Sequence, residues 1–269
     1  MQRRGFWQKP KRPIHCRKER NMTDQQKYDK LNEIISSSAK TVFFGGAGVS
    51  TESGIPDFRS KDGLYNVRDV QFEQYTPEYL LSIDCLERDQ DVFFEFYRQK
   101  LETSGIQPNK AHYKLAEMEK AGKLAGIITQ NIDGLHQKAG SVNVAEIHGS
   151  TFRNYCMRCG KRFPADYIFK SPTPIPHCDA CGDMVRPDVT LYGEMLPEDQ
   201  IAKADSYMRG AEVLIVGGTS LTVWPAAGYV SRFRGKHLII INRDPTDYDR
   251  IAELVFHESI GEVLSHIEL

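Results

Sequence analysis

The apolar positions of this chain change period several times. In "TDQQKYDKLNEIISSS" (23–38) Leu31, Ile34 and Ile35 share one helical face. Thr23 with Gln26 three residues on fits a capping box, so a helix is expected from Thr23 to Ser38. "TVFF" (41–44) is a short β-branched and aromatic run ending in glycine and reads as a buried strand. "GIITQN" (126–131), "VAEIHG" (144–149) and "VTLY" (189–192) read as further strands. "EVLIVGG" (212–218) and "HLIIIN" (237–242) are continuous apolar runs, as expected of central parallel strands covered on both faces. Helical periods fall near 77–83, 90–103 and 110–121 and through "EDQIAKADSYMR"; residues 60–75 show no clean period and read as a loop. This alternation predicts an α/β fold, a doubly wound parallel (Rossmann-like) sheet. Residues 151–188 break the pattern with paired cysteines and clustered prolines. The expected organisation is a Rossmann-like domain over 23–150 and 189–269, a helical insert at about 60–110, and a small loop-rich module at 151–188.

Ligands of such sheets bind at the carboxyl ends of the strands. Each predicted strand ends in glycine or hydrogen-bonding residues: Gly45-Gly46-Ala47-Gly48, Gln130-Asn131-Ile132-Asp133, His148-Gly149, Gly217-Gly218-Thr219-Ser220 and Asn242-Arg243-Asp244. Together they imply one long polar ligand lying along the sheet edge. Glycines after a strand let the backbone approach a pyrophosphate, and Ser50 and Thr51 can add hydroxyl donors. The hydride-carrier fingerprint is nevertheless incomplete. Thr51 stands where the third glycine of G-x-G-x-x-G belongs, and the acidic residue due ~20 positions later falls in "KDGLYNVRDV", which is no strand. A ribose contact must then come from elsewhere, and Asn242 is a candidate. The segment Pro56-Asp57-Phe58-Arg59 is also more than a phosphate cradle requires.

Four of the six cysteines form two C-x-x-C-G knuckles, Cys156 with Cys159 and Cys178 with Cys181; Cys16 and Cys85 stand alone. The spacing predicts one tetrahedral zinc, structural because four thiolates leave no open position. Reduced, metal-binding cysteines point to a reducing compartment, and the expected location is cytoplasmic. No stretch approaches the length of a membrane span, and no secretory h-region is present, so no membrane partner is expected. The net charge of −1 hides an asymmetry: residues 1–20 hold eight Lys/Arg and one Glu, leaving −8 on the remainder. The basic tail, residues 1–22, is expected to be a disordered extension or to lie upstream of a true start at Met22. The acidic remainder argues against nucleic acid as the main partner.

"GAGVSTESGIPDFRSKDGLY", "TQNIDGLHQKAG", "EIHGS", the two knuckles, "YGEMLP", "GTSLTVWPAAG" and "IN", in this order, resemble the sirtuins, the NAD-dependent protein-lysine deacylases, over about residues 23–269. The resemblance implies NAD as co-substrate, acetylated-lysine proteins as substrates, and release of free lysine, nicotinamide and O-acyl-ADP-ribose. It implies that Gly46, Ala47, Gly48, Ser50 and Thr51 lie at the diphosphate, and that Asp57, Phe58 and Arg59 belong to a mobile loop closing over ribose and nicotinamide. Gln130, Asn131, Ile132 and Asp133 would take the nicotinamide, with Asn131 and Asp133 assisting cleavage and His148 acting as catalytic base. Gly218, Thr219, Ser220, Asn242, Arg243 and Ile260 would hold the adenosine half. Val189, Thr190, Leu191, Tyr192, Gly193 and Glu194 would line the substrate peptide.

Family members that favour succinyl or malonyl groups share a Tyr-x-x-Arg pair; here Tyr97 is followed by Lys100, so an uncharged acyl group is expected. Two other readings share parts of this pattern: a protein mono-ADP-ribosyltransferase, which uses the same first step, and a zinc-ribbon nucleic-acid binder guided by the basic tail.

Overall fold

The computed structural model describes residues 22–58, 63–64 and 70–269. The expectations for the basic tail up to residue 21, for Arg59 and for most of the loop between 60 and 69 lie outside these residues.

Six parallel strands form the main sheet: β1 (Thr41–Gly45), β2 (Leu124–Thr129), β3 (Val144–Glu146), β7 (Val213–Gly217), β8 (His237–Ile241) and β9 (Leu254–Phe256). Their spatial order is β3-β2-β1-β7-β8-β9, every pair parallel. The chain runs outward one way from β1 and then, from β7, the other way. This is the doubly wound arrangement, and its switch point lies between β1 and β7. Every residue of β1 and β7 is buried, because helices cover both faces. One apolar layer joins Leu31, Ile34 and Ile35 to Phe43, Leu115 and Val263; the other joins Phe44, Ile128 and Val216 to Tyr229 and Val230.

The first helix (Asp24–Ser37) starts as its sequence requires: Thr23 Oγ1 accepts from the Gln26 N–H, and Gln26 Oε1 accepts from the Thr23 N–H. The helical period at 77–83 resolves into two short helices, Pro77–Leu80 and Ile83–Arg88. The break is chemical. Ser82 Oγ accepts from the Cys85 N–H and so caps a new helix. "VAEIHG" leaves the sheet earlier than its pattern suggests, since pairing with β2 ends at Glu146.

Residues 151–188 carry more regular structure than a loop-rich module. β4 (Gly149–Cys156), β5 (Arg162–Pro164) and β6 (Val185–Val189) form an antiparallel sheet in the order β5-β4-β6. The strand expected at 189–192 is displaced upstream: β6 ends at Val189, and Tyr192 makes only an isolated bridge to Ser82. Gly193, at φ +93°, turns the chain there, a conformation that favours glycine. A third apolar cluster packs the helices of 77–100 against this small sheet, through Phe93, Phe94 and Tyr97 on one side and Ile168, Met184, Val189 and Leu191 on the other. No helix among the described residues is long and apolar enough to cross a membrane.

Two histidines lie in the core behind the β1 loop. His112 and His136 are 0% and 1% exposed, with their rings edge-on at 4.8 Å. Asn109 joins them to the loop: its Nδ2 donates to the Val49 carbonyl (2.8 Å), and its N–H donates to His112 Nδ1 (3.3 Å). Burial holds the His112 pKa down to about 4; burial and then the neighbouring His112 hold His136 well below the usual histidine range. Both imidazoles are therefore neutral in the fold, while in the unfolded chain each takes up a proton near ~6.5. Below that pH the unfolded state binds more protons, so stability must fall as pH falls. The slope is up to ~1.4 kcal/mol per pH unit for each histidine, and the His112 contribution levels off near 4. Urea unfolding between pH 7.5 and 4.5 should show this loss, and His112→Gln should flatten it. A variant with the wild-type slope would contradict the assignment.

Candidate active site

The switch point is built by backbone meeting backbone. The Gly46 N–H donates to the Gly217 carbonyl (3.1 Å) and the Gly48 N–H to the Gly218 carbonyl (2.8 Å). A Cβ on Gly48 would lie 2.7 Å from Gly218 Cα, and one on Gly218, at φ +60°, would lie 2.4 Å from Val49 N. Neither position admits a side chain. After Gly46 the chain makes two tight turns of 3-10 helix (Ala47–Val49 and Thr51–Ser53), and Thr51 Oγ1 donates to the Gly48 carbonyl at 3.0 Å.

Beneath the loop sits a buried polar group. Ser50, Asn131 and Asp133 are 1%, 9% and 6% exposed. Ser50 Oγ donates to Asp133 Oδ2 (2.6 Å) and accepts from Asn131 Nδ2 (3.0 Å), while the Leu135 N–H donates to Asp133 Oδ1 (2.9 Å). Burial pushes the Asp133 carboxyl above its ordinary value, against the downward pull of the Ser50 and Leu135 donors. Gln130, at the end of β2, spans the switch point: its Nε2 donates to Thr219 Oγ1 (3.1 Å), which also accepts from the Leu221 N–H (3.2 Å).

His148 follows β3, half-buried at the same edge. Its Nδ1 lies 3.0 Å from the Gln130 carbonyl, and its own carbonyl accepts from the Thr190 N–H (2.9 Å). A carbonyl can only accept, so Nδ1 carries the proton and Nε2 keeps its lone pair. Burial lowers the His148 pKa, with the Gln130 carbonyl acting in the opposite sense, so the neutral, base-competent ring prevails near neutral pH.

Further along the edge, the Gly218 N–H donates to the Ile241 carbonyl (3.0 Å) and the Asn242 N–H to the Phe256 carbonyl (3.0 Å). Ile260 Cδ1 lies 2.8 Å from where a Gly218 Cβ would stand, which brings Ile260, Gly218 and Asn242 together at the ends of β7, β8 and β9. Ser220 and Arg243 are exposed beside them. Asp57 and Phe58 are half-buried, and Phe58 packs with Leu64, Tyr75 and Ile132 on the helical insert's cluster. Thr190 to Glu194 run from His148 toward the surface. The Glu194 carboxylate is held by Arg186 (2.6 and 2.8 Å) and by the Leu191 N–H (2.8 Å), so its charge is satisfied within the protein. Sequence reasoning missed Arg186, which only its burial and its two bonds to Glu194 in the fold identify. Tyr97 is fully buried, stacked between Phe93 (5.9 Å) and Phe169 (5.3 Å). Arg98 gives its guanidinium to the carbonyls of Ile168, Thr173 and Pro174.

The four cysteine sulfurs lie within 4.8 Å of one another, with Cys156–Cys181 at 3.4 Å and Cys159–Cys178 at 3.7 Å. Zinc–sulfur bonds of ~2.3 Å require sulfurs about 3.8 Å apart in a tetrahedron, so the donor set fits the ion.

A doubly wound sheet with a glycine loop and a buried polar pocket at its switch point defines a dinucleotide-binding α/β protein, here carrying a four-thiolate module. The Sir2 family pattern matches residues 46–225. The chain is 53% identical over 242 residues to an NAD-dependent protein deacetylase of Clostridium acetobutylicum, covering 89% of this chain and 98% of that one. It is 50% identical over 241 residues to an NAD-dependent protein deacetylase of Cutibacterium acnes, covering 89% and 97%. Among solved structures it is similar to a Sir2 homolog–NAD complex (TM-score 0.79, 41% identity, covering 88% of this chain and 90% of that one). It is also similar to a Sir2–p53 peptide–NAD+ complex (TM-score 0.78, 36% identity, covering 88% and 95%). The chain belongs to the Sir2 family.

The thiolate module yields a direct test. Elemental analysis should find about one zinc per chain, and Cys178→Ala should lose the metal and lower the unfolding midpoint, because structural zinc contributes folding free energy. Full zinc content with an unchanged midpoint would refute the assignment.

Proposed function

We propose that the chain is an NAD-dependent protein-lysine deacetylase, acting on acetylated-lysine proteins and releasing nicotinamide and free lysine. The observation that carries this reading is that the loop after β2 holds both parts of a cleavage site: Asn131 and Asp133 form a buried group with Ser50, and the Gln130 carbonyl holds a histidine whose Nε2 is free to take a proton. A hydride-transfer enzyme can also use a histidine base, but this chain lacks the third glycine and the acidic ribose contact of the hydride-carrier fingerprint. NAD supplies the ADP-ribose that accepts the acyl group. Gly46, Ala47, Gly48, Ser50 and Thr51 bind its diphosphate, and Gly218, Thr219, Ser220, Asn242, Arg243 and Ile260 bind the adenosine half. Gln130, Asn131, Ile132 and Asp133 receive the nicotinamide. Each Asp133 oxygen already accepts one hydrogen bond and retains a lone pair for the carboxamide N–H groups. Asp57, Phe58 and Arg59 close over the ribose and exclude water. Val189, Thr190, Leu191, Tyr192, Gly193 and Glu194 hold the peptide so that its acyl oxygen can take nicotinamide's place on the ribose carbon; His148 Nε2 removes a proton from a ribose hydroxyl, that oxygen attacks the acyl carbon, and one water completes the release of lysine.

The same reading assigns residues 23–150 and 189–269 to NAD binding, about 60–110 to the helical insert, and 151–188 with Cys156, Cys159, Cys178 and Cys181 to a structural zinc. Thiols kept for a metal suit the reducing cytoplasm. The substrates are proteins, with neither nucleic acid nor a membrane required.

His148→Ala should bind NAD about as the wild type does and lose deacetylation by ~10²-fold or more. Isothermal titration with NAD and a peptide assay read the two separately. Near-normal turnover at neutral pH would make His148 structural.

A further inference from the structure

β4 leaves its ladder with β6 for three residues. Ser150 pairs with Asp188 and Asn154 with Pro187, so Thr151, Phe152 and Arg153 face a single step of β6. Such bulges re-aim side chains, and here Thr151 and Phe152 reach the loop after β2 while Arg153 reaches the end of β3. Thr151 donates both its N–H (2.9 Å) and its Oγ1 (3.0 Å) to the Ile132 carbonyl. The Phe152 ring covers Gly134, where a Cβ would lie 2.9 Å from it. Arg153 donates Nη1 to Glu146 (2.6 Å) and Nε to Asp188 (3.0 Å).

The Arg153 ion pairs join β3 of the main sheet to β6 of the small one. Glu146 is the last residue of β3 and belongs to the main sheet, where helix Glu198–Met208 anchors it: Gln200 Oε1 accepts from the Glu146 N–H (3.0 Å), and Lys203 Nζ donates to the Val144 carbonyl (2.8 Å). Asp188 belongs to β6 of the small sheet. Between β3 and β4 run only Ile147 and His148. The Glu146 side chain is 6% exposed, and no other ion pair reaches it among the described residues. A carboxylate so buried depends on its one partner.

We propose that Arg153 is a positioning residue for His148. By gripping the strand before His148 and a strand after it, its guanidinium holds the two sheets at the angle that keeps Nδ1–H on the Gln130 carbonyl and Nε2 turned to the cleft. The inference rests on His148 being the base.

The test uses the full-length, zinc-loaded protein. Arg153→Met keeps much of the side chain's bulk but strands Glu146, so Glu146→Gln/Arg153→Met is made beside it to remove the stranded charge. The double variant should recover wild-type zinc content and thermal midpoint. It should keep the wild-type KM for NAD and still show kcat lowered by ~10-fold or more, as misplacement of a catalytic group does. Arg153→Lys, with one contact in place of a fork, should fall between. Nitrogen-15 NMR of the imidazole should show the single Nδ1–H form of His148 in the wild type and a mixture of tautomers in the double variant. A double variant with wild-type kcat, or with reduced kcat but an unchanged His148 tautomer, would overturn the proposal. Either outcome leaves the base assignment standing, because that falls only if His148→Ala itself stays active.

Discussion

Two glycine backbones in contact set the geometry of this protein. The loop after β1 and the loop after β7 touch where Gly48 donates to Gly218, and no Cβ fits at either position. That approach lets the chain reverse its winding direction while both loops stay low against the sheet edge. It also fixes what can stand above and below. Val49, drawn inward, gives its carbonyl to Asn109, and Ser50, next along, is aimed down at Asp133 and Asn131. The buried polar group and the glycine loop are thus two faces of one tight turn.

The second requirement is to bring His148 to the same edge from a neighbouring strand. β3 is short, ending at Glu146, and the chain passes directly into a different sheet at Gly149. A histidine on such a corner would be poorly placed without outside support. The support comes from the Gln130 carbonyl, the Thr190 N–H and the Arg153 ion pairs, each from a different element. The small sheet with its four thiols is therefore more than a surface attachment: through Thr151 and Arg153 it bears on the residues that flank the cleft.

Much of the fold was legible because its signals are local. The Thr23/Gln26 capping box, the apolar runs that become β1, β7 and β8, and the two cysteine knuckles each act within a few residues. Elements set by distant partners were not legible. β9 is a three-residue edge strand defined by its pairing with β8, and the β4 bulge exists only relative to β6. Position 82 was misread because a serine in a helical period looks neutral until its hydroxyl is seen to cap Cys85. The polar strand ends do gather along one edge of the main sheet. What no pattern could convey was their partnership: that Gln130 reaches across to Thr219 while its carbonyl holds His148, and that Arg186 neutralises Glu194. Those links join residues 8 to 89 positions apart, and the intervening chain carries no trace of them.

In the proposed reaction, breaking the nicotinamide–ribose bond and removing the acyl group are one coupled event. Mass spectrometry of an acetyl-lysine peptide incubated with the protein, with and without NAD, measures it directly. Nicotinamide, deacetylated peptide and O-acetyl-ADP-ribose should appear in equal amounts with NAD, and none of them without it. Free acetate formed without NAD, or ADP-ribose found attached to protein in place of the acetylated product, would contradict the account.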